Sequence, residues 1–67
     1  MKEFIVKDTP TFQLKIQKWE CSYPKGLYTV NFIQCTKDKD GNIEKESTYE
    51  FFMDYAELTK VAGALIE

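Results

Sequence analysis

The stretch FQLKIQKWE (Phe12–Glu20), SYPKG (Ser22–Gly26) and LYTVNFIQCT (Leu27–Thr36) decides the fold. In its first part Phe12, Leu14 and Ile16 alternate with Gln13, Lys15, Gln17 and Trp19, the period-two pattern of a strand with one buried face. In its last part Tyr28, Val30 and Phe32 alternate with Leu27, Thr29, Asn31, Ile33 and Cys35. Between them Pro24 sets φ and Gly26 is free to take a positive φ, so the segment reads as a turn. A loop over Ser22–Gly26 places Phe12, Leu14 and Ile16 beside Tyr28, Val30 and Phe32. A slip of one residue would turn a whole strand over, so the pairing that gathers the apolar side chains is favoured.

The pattern extends in both directions. Before it, Phe4-Ile5-Val6 within Lys2–Lys7 is a short run of strand formers that Asp8-Thr9-Pro10 ends, an edge strand or arm. After it, Asp38-Lys39-Asp40-Gly41 is a turn signal. Asn42 to Phe52 then has Ile43, Tyr49 and Phe51 in one alternation and Glu44, Glu46 and Glu50 in the other. Asp54 with Glu57 three residues on has the pattern of a capping box, and Met53 and Leu58 are spaced for a hydrophobic staple. Leu58, Val61, Ala62 and Leu65 follow the spacing of a buried helical stripe. Gly63 lies inside that helix, which suits either close packing on the sheet or on the same helix of a second subunit, or a tolerated imperfection near a fraying end. The expected fold is α+β: one domain over residues 1–67, a four-stranded antiparallel sheet followed by one C-terminal helix (ββββα). One sheet face is apolar and the other is open.

Composition narrows the function. The nine positive charges among the 67 residues are all lysine; the chain has no arginine and no histidine, and its net charge is −2. Histidine is the side chain that most readily moves protons near neutral pH, and arginine is the one shaped for bidentate grips on phosphate or guanine. Their absence argues against catalysis and against sequence-specific reading of DNA. An apolar fraction of 43% and an aromatic fraction of 15% give a folded chain with a small core. Such a core gains stability from a staple or a partner. No staple is evident, so a homodimer is expected. Cys21 and Cys35 fall far from opposite positions in the hairpin, and Met1 is followed by the charged pair Lys2-Glu3; reduced cysteines and a cytoplasmic or nucleoid setting are expected. No run reaches the length of a membrane span.

The motifs that carry chemistry elsewhere are weak here. Asp38-Lys39-Asp40-Gly41-Asn42 lacks the offsets and flanking helices of a calcium loop and reads as a hairpin turn. Glu44, Glu46 and Glu50 have no pocket to set them to acid–base work and read as a solvated strand that resists aggregation. Two cysteines without histidine supply neither an activated nucleophile nor a zinc site. No catalytic residue, metal ligand or cofactor site is expected. Trp19 is the exception to this blandness. On the open face it lies near Lys15, Gln17, Thr29 and Asn31, which is the make-up of a stacking platform for single-stranded nucleic acid. Tyr23 and Lys25 in the turn extend it, with Lys18 and Lys37 nearby.

The run from Phe12 to Leu65 resembles the single-stranded-DNA-binding domain of the positive cofactor four family of transcriptional coactivators. The resemblance lies in Phe12-Gln13-Leu14 opening a strand, Lys25-Gly26 in a hairpin, the alternating Leu27–Ile33 strand, Asp38-x-x-Gly41-x-Ile43 and the final amphipathic helix. It implies a curved four-stranded sheet with a helix, a dimer, and a basic and aromatic DNA-facing side. Lys25 matches one basic position of that side and Tyr23 replaces a loop aromatic. Other basic positions fall on Leu27 and Ile33, and an aromatic one on Thr36, so Trp19 would act as the substitute platform. Two functions are expected from these readings. One is sequence-independent binding of single-stranded DNA or RNA through Lys15, Gln17, Trp19, Tyr23 and Lys25, in transcription or replication. The alternative is a small acidic protein–protein interaction or regulatory module that docks a protein partner through the same face.

Overall fold

A computed structural model describes residues 2–67. Four strands, β1 (Lys2–Asp8), β2 (Phe12–Glu20), β3 (Leu27–Lys37) and β4 (Ile43–Asp54), precede one helix, α1 (Tyr55–Ile66). The strands form a single sheet in the order β1-β2-β3-β4, each antiparallel to its neighbour. This is the ββββα arrangement expected from the sequence.

The β2–β3 hairpin has the register that its loop length demands. The Cys21 N–H donates to the Leu27 carbonyl at 2.8 Å, and Gly26 takes a φ of +89°, where a side chain would be strained. Ile16 then lies opposite Phe32, and Leu14 opposite Gln34. Across β4, Tyr28 pairs with Met53, Val30 with Phe51 and Phe32 with Tyr49. Phe4 of β1 pairs with Ile16 and extends the apolar face. At its centre the rings of Phe32 and Phe51 meet edge to face, 5.9 Å apart with 81° between planes.

Ile43 departs from the expected alternation. The β3–β4 turn takes in Asn42 as well as residues 38–41: Asp38 N–H donates to the Asn42 carbonyl at 2.9 Å and Gly41 N–H to the Asp38 carbonyl at 3.0 Å. The Asp38 carboxylate accepts from the N–H groups of Asp40 and Asn42, and Gly41 has a φ of +84°. The register then shifts, with Lys37 opposite Ile43 but Thr36 opposite Lys45. An extra residue in one strand is a bulge. It takes Ile43 out of the row that holds Tyr49 and Phe51.

The helix begins where the sequence predicts. The Glu57 N–H donates to Asp54 Oδ1 at 2.8 Å, and the Asp54 N–H donates to Glu57 Oε1 at 2.9 Å, a complete capping box. The expected buried stripe is not formed within the chain. No helical residue is buried, Leu58 is half-buried and Leu65 is 77% exposed. The connection explains this. Asp54 is both the last residue of β4 and the cap of α1, so no linker residues exist to fold the helix back over the sheet. The helix therefore packs chiefly on β4. A Cβ added at Gly63 would meet nothing within 4 Å, so close packing inside the chain does not require that glycine.

At the far end of the sheet Thr9 shapes the β1–β2 turn, its Oγ1 accepting from the Phe12 N–H at 3.0 Å. Asp8 and Lys37 form an ion pair across that end. Hydrogen bonding to Lys37 holds the Asp8 carboxyl below its ordinary range. Its contribution is present at neutral pH and lost as pH falls through the lowered value; solvent keeps it small.

The cap supports a test. Asp54→Ala removes the acceptor for the first-turn N–H and is expected to lower stability by about 1 kcal/mol. A urea midpoint equal to the parent's would mean that the helix does not depend on this residue.

Candidate nucleic-acid interface

The face opposite the apolar one is built from four cross-strand rows. Trp19, Thr29 and Phe52 form one row; Gln17, Asn31 and Glu50 the next; Lys15, Ile33 and Thr48 the third; Gln13, Cys35 and Glu46 the fourth. Most of these rows set a shorter side chain on β3 between longer ones. Thr29, Asn31, Ile33 and Cys35 are buried, while Lys15, Gln17 and Trp19 are half-buried. This corrects the expectation of a uniformly solvated face. The β3 residues are covered because strands lie about 4.8 Å apart, well within the reach of the longer side chains on either side. The result is a strip of short residues between two ridges.

The β2 ridge carries three of the expected site residues. Lys15, Gln17 and Trp19 stand in line at intervals of two residues, about 7 Å apart. Gln17 Nε2 donates to Glu3 Oε2 on β1 at 2.7 Å, which holds the amide in place. Tyr23 and Lys25 are not on the sheet. They lie in the β2–β3 loop, beyond the end of the ridge that Trp19 occupies, and Tyr23 is 90% exposed.

The β4 ridge holds Phe52, which was not among the expected site residues. It is 57% exposed and shares the Trp19 row, separated from Trp19 by Thr29 alone. Its parity with Glu46 and Glu50 is the sequence signal that would have found it. The same ridge is acidic. Glu50 adjoins Asn31, and Glu46 Oε2 accepts from the Cys35 thiol at 3.6 Å. Burial and then the Glu46 charge push the Cys35 thiol above its ordinary range and keep it protonated at neutral pH. Both cysteines are free, and the Cys21 sulfur lies 3.3 Å from Thr29 Oγ1. Among the described residues no group of three or more His, Cys, Asp or Glu side chains is placed to hold a metal ion. Nor is any described helix long and apolar enough to cross a membrane.

Among the described residues, Asn31 carries the one buried side-chain oxygen without a partner. It is 7% exposed, and its Oδ1 is buried without a hydrogen bond. A buried acceptor left unpaired costs on the order of 1–3 kcal/mol. Asn31→Val removes the acceptor and suits a strand, so it is expected to raise the urea midpoint, equivalent to about 1 kcal/mol. A lowered midpoint would show that the amide is satisfied in solution.

No protein-family model, curated protein or solved structure matches this chain, so the reading of this face rests on the residues just described.

Proposed function

We propose that the chain is a non-catalytic module that binds single-stranded nucleic acid, without sequence preference, on the face carrying Trp19. The observation that carries this reading is the Trp19–Thr29–Phe52 row. It sets two aromatic side chains on one face with a small residue between them, in line with Lys15 and next to the loop of Tyr23 and Lys25. Aromatic rings stack on bases of any identity, and lysine neutralises the backbone, so such a face needs no base-specific hydrogen bonds. The resemblance to positive cofactor four-like domains supports the same reading and a role in transcription or replication. The glutamates favour a second reading. Glu3, Glu46 and Glu50 repel a polyanion, and with Trp19 and Phe52 they suit docking on a basic protein surface.

The module acts as a homodimer. A compact monomer of 7.9 kDa exposes roughly 4,400 Å². This chain exposes 5304 Å², and its radius of gyration is 14.0 Å. A compact chain of this length has a radius of about 11 Å. The surplus surface is about 900 Å², close to the roughly 800 Å² that each partner buries in a stable complex. It is also of the right kind: Phe4, Tyr49 and Phe51 on the apolar sheet face and Val61 and Leu65 on the helix are all exposed. A second copy covering these residues supplies the core that one chain lacks.

Two measurements test these readings. Sedimentation equilibrium at micromolar concentration is expected to give a dimer mass, and a single 7.9 kDa species would overturn the assembly. Single-stranded oligonucleotide is expected to quench the fluorescence of Trp19, the only tryptophan. Trp19→Ala loses roughly 1–3 kcal/mol of affinity, and Lys15→Ala flattens the salt dependence without unfolding the chain. Unchanged fluorescence at low salt would favour the protein-docking reading.

A further inference from the structure

A cleft of about 420 Å³ opens where the ends of β1, β2 and β3 meet, lined by Lys2, Lys18, Trp19, Glu20 and Tyr28. Lys2 and Lys18 are direct cross-strand partners. Like charges in that relation repel and weaken a sheet. Neither lysine has a carboxylate at ion-pair distance; the one ion pair among the described residues is Lys37–Asp8 at the opposite end. Glu20 lies in the cleft, but its Oε2 accepts from the Gly26 N–H at 3.2 Å. The Lys18 ammonium sits 5.0 Å from the centroid of the Tyr28 ring. A cation–π contact holds an ammonium in place without using its N–H donors. The cleft thus presents two adjacent cations, one of them fixed over an aromatic ring, with donors free.

We propose that this cleft is a phosphate site. Two ammonium groups on opposed strands converge on one multivalent anion, and charge-assisted hydrogen bonds to its oxygens remove the repulsion between them. The group bound is a phosphate, either free or at the end of a nucleic-acid strand. The cleft shares Trp19 with the stacking face, but the two cations that define it, Lys2 and Lys18, are not part of that face.

The test is calorimetric titration of the full chain with inorganic phosphate, against chloride at equal ionic strength. Proton–nitrogen spectra follow Lys2, Lys18 and Tyr28. Saturable binding that moves these three residues is expected, with chloride without effect. Lys2→Gln and Lys18→Gln should each weaken binding about tenfold. Lys60→Gln, on the helix, should leave it unchanged. Lys2→Gln lies on an exposed edge strand, so it reports on the site even if Lys18→Gln unfolds the hairpin. A linear heat response, equal shifts with chloride, or parent-like affinity in Lys2→Gln would overturn the proposal. A second arm compares one oligonucleotide with and without a terminal phosphate. Shifts at the cleft only with the phosphorylated strand assign the site to strand ends. Shifts with inorganic phosphate alone assign it to the free anion. Lys15→Ala should flatten the salt dependence of oligonucleotide binding yet leave the phosphate titration intact, so failure of the stacking face and failure of this site are told apart.

Discussion

The pairing of β2 with β3 is the constraint from which the rest follows. Its register is closed at one end by the Cys21–Leu27 backbone bond, and nine consecutive pairs from Glu20↔Tyr28 to Phe12↔Thr36 run without interruption. Because strand side chains alternate, that single register decides which residues share each face. Ile16 and Phe32 fall on one face with Val30, and Lys15, Trp19 and Asn31 on the other. The opposite parity would mix apolar and polar side chains on both faces and leave no continuous apolar face. The bulges in the flanking pairs, by contrast, alter the pattern only locally.

A second constraint acts at the end of β4. Joining strand to helix without a linker sends the helix off the sheet, and the molecule measures only 15 Å along its shortest axis. A single layer cannot keep a face of phenylalanine and tyrosine from water. The 48% exposure of Phe51, at the centre of that face, is a consequence of the joint rather than of poor side-chain choice. The capping box makes the joint definite: Asp54 cannot relax into a longer turn without giving up both hydrogen bonds. Capping and exposure are in this sense one feature seen from two sides.

Strand alternation, turn residues and the cap were legible in the residues because each is local. Gly26 and Gly41 take the positive φ that their turns require, and Asp54 and Glu57 bond reciprocally at the expected spacing. What was not legible depends on three-dimensional placement. The face of Ile43 depends on a bulge that a count of alternating residues does not register. The exposure of Leu65 depends on where the helix axis points, which its apolar spacing leaves open. On the candidate site, the line of Lys15, Gln17 and Trp19 followed from parity within one strand, whereas Phe52 needed the registers of two hairpins at once. The cleft around Lys18 needed three strands and a ring position.

The bulge in β1 has a consequence for the chain's behaviour at high concentration. Phe4, Ile5 and Val6 form an exposed apolar edge of the kind that templates fibre growth. The register slips between Ile5 and Lys7, so the strand cannot run flat across its length. Lys2-Glu3 on one side and Lys7-Asp8 on the other put charges of both signs at each end of the apolar run. An incoming strand would have to match a kinked backbone and desolvate those charges at once. The edge stays open to solvent, yet it is a poor seed for polymerisation.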